Sequence, residues 1–371
     1  MANLQPGIWF SSTLRLTAAF IFYLSIIPVK GFAQTKPSVN VQNDAEILFL
    51  GTSGGPALQK DRSRPSTLFI VGGQQYLIDC GIGTIGRMVQ ADIQSQSIRT
   101  IFITHHHPDH DLGLAALMAD QYFKVGPGDT INIYGPPQTK EFVAAAFRYI
   151  SIPYNVFAAE PAIGFWAGNG DSDLRNPFKA HDIQPGKVFY QDGKIRVTAV
   201  ENTHYKLIPA RFRARMKSYS YRFETPYGVI VFTGDTGLTD SVVQLAQGAD
   251  ILVSQVGGMN KNGNRLMMQM LVKNLHWSHE REQGLIDHVN NELMDLQEVG
   301  ELASRARVKS VLFYHYPPAN PEAYVSEMKK YYSGPVFAPS DLDRYCLTKQ
   351  ADNGGTSKSV ISLCQKHPVV H

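Results

Sequence analysis

Thr104-His105-His106-His107-Pro108-Asp109-His110-Asp111 places four imidazoles and two carboxylates within seven consecutive residues. The segment follows an apolar run, Thr100 to Thr104, expected to be a strand, and precedes an amphipathic stretch, Leu112 to Phe123, expected to be a helix. Packing does not account for it, because imidazoles and carboxylates are costly to bury unless they are paired or coordinated. A cation offsets that cost, so the cluster reads as a metal site. His105 and His107 lie two apart and project the same way from an extended chain, while Asp109 and His110 follow in the turn. One pair can serve a first ion and the other a second ion close by. By the same period of two His106 points away, and it is not expected to be a ligand.

Outward from this cluster the chain alternates short apolar strands with amphipathic helices. Strands are expected at Ile47 to Leu50, Ser66 to Val71, Gln75 to Asp79, Ile131 to Tyr134, Arg196 to Val200, Tyr219 to Glu224, Val229 to Thr233, Ile251 to Ser254 and Ser310 to Tyr314. Further helices are expected at Thr84 to Ala91, Thr139 to Tyr149, Asp240 to Gln247, His279 to Asn290, Leu296 to Arg305 and Pro321 to Tyr332. The mixture in both halves implies two sheets covered by helices in one layered α/β body. Two stretches interrupt it and are expected to be irregular lids or binding loops. One is the Pro-, Gly- and aromatic-rich segment from Ser151 to Phe189. The other, Gly257 to Trp277, carries Met259, Met267, Met268 and Met270. The methionines and aromatics there read equally well as satellite core.

His105-x-His107-x-Asp109-His110 resembles the HxHxDH signature of the metallo-β-lactamase superfamily. Gly51-Thr52-Ser53-Gly54-Gly55 and Leu77-Ile78-Asp79-Cys80-Gly81 resemble that family's opening strands. Val200-Glu201-Asn202-Thr203-His204 resembles its third histidine motif, Phe232-Thr233-Gly234-Asp235-Thr236 its bridging aspartate, and Leu312-Phe313-Tyr314-His315 its last histidine. The likeness runs from Ala45 to Leu347 and is greatest to the branch containing ribonuclease Z, arylsulfatase-like enzymes and lactonases. It implies an αββα four-layer sandwich. It also implies one divalent ion, zinc by the donor set, held by His105, His107 and His204, and a second held by Asp109, His110 and His315, with Asp235 between them. Asp79 is expected to orient a ligand imidazole.

Two such ions lower the pKa of water from about 15.7 toward ~7, so the expected reaction is hydrolysis by hydroxide with Asp109 or Asp235 accepting a proton. Ribonuclease Z enzymes also carry a Glu and a His that handle the leaving group. The corresponding positions here are Gln255 and Leu293, and neither transfers protons. His288 is the one candidate catalytic substitute. His181, His276, His279, His367 and His371, and otherwise His288 too, read as exposed or structural. A site without a proton shuttle suits small esters, lactones, β-lactams or aryl sulfates, with a small cyclic or aryl phosphodiester as the alternative. A metal-binding protein without turnover is a second alternative. The expected partner is thus a small molecule and not nucleic acid, with self-association left open. The basic cluster Arg211-Phe212-Arg213-Ala214-Arg215-Met216-Lys217 reads as a solvated loop or as an attractor for an anionic substrate.

Composition supports a folded, exported protein. Of 371 residues, 43% are hydrophobic and 11% aromatic, too many for a disordered chain, and 3 cysteines exclude a disulfide scaffold or zinc ribbon. Arg15, the apolar run Leu16 to Val29 and the small residues before Gln34 read as a signal peptide over residues 1–33, too short to span a bilayer. No later segment is expected to reach spanning length. The catalytic domain is then 34–348 and residues 349–371 a poorly ordered tail. Export implies a periplasmic or secreted protein, in which Cys346 and Cys364 are close enough in sequence to pair and Cys80 is a buried thiol. Of the formal charge of +3, two units, Arg15 and Lys30, lie in the signal segment, so no broad basic stripe remains.

Overall fold

Apolar runs in this chain become strands buried on both faces, and their alternate side chains enter different layers. The computed structural model describes residues 45–55, 58–126, 128–160, 176–273, 275–317, 320–351 and 357–364. The signal segment, His367 and His371 lie outside them. The chain first lays down β1 (Ala45–Gly51), β2 (Ser66–Val71), β3 (Gln74–Ile78), β4 (Thr100–Phe102), β5 (Ile131–Gly135) and β6 (Phe178–Asp182). It then forms a second sheet from β7 (Val188–Gln191), β8 (Arg196–Glu201), β9 (Tyr219–Thr225), β10 (Gly228–Phe232), β11 (Ile251–Ser254), β12 (Val311–Phe313) and β13 (Val336–Phe337). Finally β14 (Arg344–Ala351) and β15 (Ser357–Leu363) return to the first sheet, beside β1. The result is an eight-stranded mixed sheet facing a seven-stranded one.

Ile47 and Phe49 of β1, Phe69 of β2, Phe102 of β4 and Phe223 of β9 meet in the core between the sheets. Phe102 and Phe69 lie edge-on to Phe223, with ring centroids 5.4 and 5.7 Å away. The intervening Leu48 and Leu50 face the outer layer, as the period of two requires. That layer is built by α1 (Thr84–Gln90), α3 (Leu114–Lys124), which follows the short α2 (Pro108–Asp111), and α4 (Thr139–Ala159). Over the second sheet lie α5 (Asp240–Leu245), α8 (Leu296–Arg305) and α9 (Pro321–Met328), while α6 (Lys261–Val272) packs on α7 (His279–Glu292) through Met268, Ile286, Val289 and Leu293. A capping box, Asp295 with Glu298, starts α8, whose Leu296, Val299, Leu302 and Ala303 form the buried stripe. The expected four-layer architecture is therefore present.

Several expectations need correction. The irregular stretch from Ser151 is helical as far as Ala159, so α4 has 21 residues and runs through Pro153. Proline costs a helical hydrogen bond, but Tyr154 packs on Tyr122 of α3 at 4.7 Å and its hydroxyl donates to the Ala119 carbonyl at 2.6 Å. Among the described residues α4 is the one helix long and apolar enough to cross a membrane. That corrects the expectation that no such segment follows the signal, although Val143, Ala146 and Ile150 are buried in the layer over the first sheet. The same irregular stretch also contains β6 and the start of β7, and residues 161–175 lie outside the described ones. Much of the Met-rich loop is α6, with Met268 in core and Met270 exposed. In the tail expected to be poorly ordered, β15 pairs antiparallel with β14, and Cys346 and Cys364 form a disulfide with Cα atoms 5.1 Å apart. Cys80 is a buried free thiol.

Candidate metal centre

Strand ends create the site. β8 and β10 both run antiparallel to β9, and β10, β11 and β12 are parallel, so β8, β10 and β12 finish on one edge of their sheet. The segments leaving those ends carry His204, Asp235 and His315. From the facing sheet, β4 leads through Ile103 and Thr104 to His105, and Pro108 starts α2 with His107 as its extended N-cap. Proline at the first helical position forces this abrupt turn. It holds His105 and His107 at the strand exit while Asp109 and His110 sit on the first helical turn.

The seven residues converge. Three groups each bring ligand atoms within 4.8 Å of one another: His105, His107 and His204; His105, His110 and Asp235; and Asp109, His110 and His315. His107 Nδ1 lies 3.0 Å from His204 Nε2. Asp235 spans the groups, with Oδ1 3.6 Å from His110 Nε2 and Oδ2 3.7 and 3.5 Å from the Nε2 atoms of His204 and His315. His105 Nε2, His110 Nε2 and Asp235 Oδ1 are buried with no hydrogen-bond partner. Orphaned buried atoms of this kind need an explanation, and a cation at their common focus supplies one. The set of five imidazoles and two carboxylates fits zinc-type divalent ions.

Outer partners fix the rings. The buried Asp79 accepts the Thr104 N–H at 2.7 Å and faces His110 Nδ1 at 2.8 Å. His204 Nδ1 lies 3.0 Å from the Glu292 carbonyl, an acceptor only, so it carries the proton and Nε2 is left for a ligand. His105 Nδ1 lies 3.0 Å from Thr104 Oγ1. Such contacts orient ligand imidazoles generally. Loop Gly51 to Gly55 closes against the centre: a Cβ at Gly55 would stand 2.6 Å from Asp109 Oδ2, which explains the glycine there. His106, by contrast, turns to Asp111 at 2.9 Å and to Thr139, as the alternation required.

Burial pushes His105 and His204 well below the ordinary imidazole range and His107 down to about 4, leaving them as neutral donors. Burial also opposes charge on Asp109 and Asp235, but His110 and His315 outweigh it and hold both carboxyls well below the usual range. His110 is likewise opposed by burial, yet Asp235, Asp109 and Asp79 hold it well above normal. Neutral His105, His107 and His204 beside ionised Asp109 and Asp235 have the protonation a divalent cation needs, while His110 holds the proton that a cation among its three carboxylates would displace.

Gln255 and Leu293 do not contribute. The Gln255 amide donates to the Thr236 carbonyl at 2.8 Å, and Leu293 is buried among Met268, Ile286 and Val289. His288 does reach the centre. Its ring centroid lies 5.2 Å from that of His204 and 5.8 Å from that of His107, and Nδ1 lies 2.6 Å from the buried Glu292 Oε2. Sequence reasoning missed Glu292, although its i,i+4 spacing from His288 on one helix was a signal. It also missed Tyr205, whose ring stacks on His204 at 5.3 Å. Of the other histidines, His276 and His279 belong to none of the three ligand groups, and His181 stacks on Tyr134.

A two-sheet sandwich with clustered His and Asp at its strand ends is the architecture of the metallo-hydrolases. The Beta-lactamase superfamily domain matches residues 74–316, about two thirds of the chain, with all seven converging residues inside it. The chain belongs to that superfamily and is a hydrolase of the metallo-β-lactamase fold. It is 28% identical over 308 residues to a ribonuclease Z of Mycobacterium bovis, covering 81% of this chain and 97% of that protein. Among solved structures it resembles YhfI of Bacillus subtilis (TM-score 0.57, 17% identity, 82% of this chain and 100% of that one). It also resembles the short form of human tRNase Z (TM-score 0.54, 18% identity, 81% and 98%). The relatives named ribonuclease Z overturn the expectation of a small-molecule partner with nucleic acid excluded. That expectation rested on the vacant Gln255 and Leu293 positions, on the export signal and on the lack of a broad basic stripe, and none of these reports on His288 or on local charge.

Proposed function

We propose that the protein is an exported, dinuclear metal-dependent phosphodiesterase acting on RNA. The observation that carries this reading is the placement of Asp235 between two ligand groups, with His288 beside them. His105, His107 and His204 would hold one zinc-type ion and Asp109, His110 and His315 the other. Bound there, the pair would acidify water and polarise an oxygen of the scissile group. Asp109 and Asp235 orient the ligand shell and accept a proton. Glu292, acceptor only when ionised, takes the Nδ1–H of His288, so that the second proton which the ring carries on Nε2 when it is protonated can pass to the leaving oxygen. With a proton donor at that place, the restriction to esters, lactones, β-lactams and aryl sulfates with good leaving groups falls away, and an RNA 3′ or 5′ oxygen becomes a workable leaving group. The ribonuclease Z relatives support the same direction.

The test compares the zinc-loaded protein on an oligoribonucleotide, a chromogenic phosphodiester, a lactone, a β-lactam and an aryl sulfate. Turnover of both phosphodiesters is expected. Turnover of a lactone, β-lactam or sulfate alone overturns the reading, and two bound ions without turnover of any substrate favour a metal-binding protein.

Export is supported by the charged, apolar and small-residue pattern of residues 1–33 and by the Cys346–Cys364 disulfide, since such bonds persist in oxidising compartments. N-terminal sequencing of protein from the periplasm or medium is expected to begin at Gln34. Recovery of the uncleaved chain from cytosol would contradict export.

A further inference from the structure

The connection between β8 and β9 is long and basic, and both of its feet stand on the metal centre. At the near foot, His204 is a candidate ligand, Tyr205 stacks on it, and the Leu207 N–H donates to Glu292 Oε1 at 2.7 Å. At the far foot, Ser218 Oγ donates to the Asp235 carbonyl at 3.4 Å, and its own carbonyl accepts the Asn202 N–H at 3.0 Å. Between them Lys206, Arg211, Arg213, Arg215 and Lys217 are basic and no residue is acidic.

The loop is built, with short-range backbone bonds from Ile208 to Tyr205, Phe212 to Pro209, Arg213 to Ala210 and Met216 to Phe212. Arg213 braces it by donating to the carbonyls of Ile208 and Lys206 at 2.9 and 2.8 Å, contacts that leave its charge uncancelled. Arg215 and Lys217 meet Glu141 and Glu201. Lys206 and Arg211 have no ion pair among the described residues. Arg211 instead lies 4.6 Å over the Phe212 ring, which is 40% exposed. Cations alternating with an exposed aromatic ring match single-stranded nucleic acid, whose phosphates meet the cations and whose bases stack on the ring.

We propose that this loop, residues 205–217, is the docking surface for a single-stranded segment of RNA, which it delivers to the adjacent centre. Phosphates lie against Lys206 and Arg211 and a base lies on Phe212. The inference rests on the phosphodiesterase reading for its substrate, but binding can be measured without turnover. Fluorescence anisotropy of a labelled oligouridylate is to be recorded with the metal-loaded wild type and with Arg211→Glu, Arg211→Lys and Phe212→Ala, across a salt series. Metal content and the unfolding midpoint check that each variant is folded.

Removal of one phosphate contact is expected to lower the slope of log affinity against log salt by about 0.7. Arg211→Lys is expected to restore it. Loss of the stacking ring in Phe212→Ala is expected to weaken binding about fivefold to a hundredfold. Wild-type affinity in both Arg211→Glu and Phe212→Ala overturns the proposal, as does a wild type that ignores RNA but binds vesicles of anionic lipid. If RNA binds with these sensitivities while no phosphodiester is hydrolysed, the functional reading fails and the docking surface stands. If phosphodiesters are hydrolysed and RNA affinity ignores the loop, the reverse holds.

Discussion

Asp235→Ala is expected to cost the protein its metal and its turnover together. The carboxylate approaches His110, His204 and His315 within 3.5 to 3.7 Å, so its loss strips one partner from each side of the centre at once. Deleting one member of a buried charged pair costs about 3–5 kcal/mol. At about 1.4 kcal/mol per tenfold, that is roughly two to three and a half orders of magnitude in metal affinity. Metal analysis after dialysis, beside phosphodiester turnover, checks it. Asp235 is buried, so the unfolding midpoint of the metal-free variant is expected to fall as well, and its circular-dichroism spectrum checks that it is folded. Full retention of both ions would remove Asp235 from its place between the two groups.

Asp79→Asn tests the layer behind the ligands. Asp79 is fully buried with φ of 56°, a left-handed conformation that Asn also adopts with little strain. The substitution therefore keeps shape and backbone and changes only hydrogen bonding. Asp79 accepts from the Thr104 N–H and from His110 Nδ1 through different oxygens. An amide offers one acceptor oxygen and an NH2 group, so one donor must face another donor. Either Thr104, which positions His105, or His110 itself is released. Loss of about 10- to 100-fold in metal affinity is expected, the range found when outer partners of ligand histidines are removed. Isothermal titration with zinc gives the number, and unchanged affinity would show that the ring of His110 is held by packing alone.

The cluster from His105 to Asp111 was legible because its members are neighbours in sequence and because strand periodicity separates His106 from His105 and His107. Strands such as Ser66–Val71 and Ile251–Ser254 were legible because burial on both faces leaves an uninterrupted apolar run. Elements that depend on distant contacts were not. The helix expected at Thr139 to Tyr149 runs on through Pro153, where Tyr154 packs on α3. β15 is polar along much of its length and is held at the sheet edge by β14 and the disulfide. α6 exposes Leu266 and Met270 and is a helix because α7 covers Met267, Met268 and Leu271.

The candidate site divides in the same way. Gln255 and Leu293 mark where relatives carry a proton-handling pair, but the sequence does not show that α7 returns His288 and Glu292 to the same centre. Those residues lie 84 and 88 positions beyond His204, and periodicity within one element carries no signal across that span. Net charge misled for a related reason. Summed over the chain it is small, whereas binding responds to charges within about a Debye length of the site, and the fold sets five basic residues between two feet of the centre.

The sequence by itself determined the superfamily, the seven candidate ligands and the hydrolytic class, because those rest on local spacing and on side chains whose chemistry needs no neighbours to be named. The tertiary structure alone decided which acid–base pair stands beside the ligands, which rings are oriented by Asp79 and Glu292, and that the basic loop rises from the centre. Each of these arises where α7 and strand ends from both sheets meet at one rim, a consequence of the whole fold and of no single segment in it.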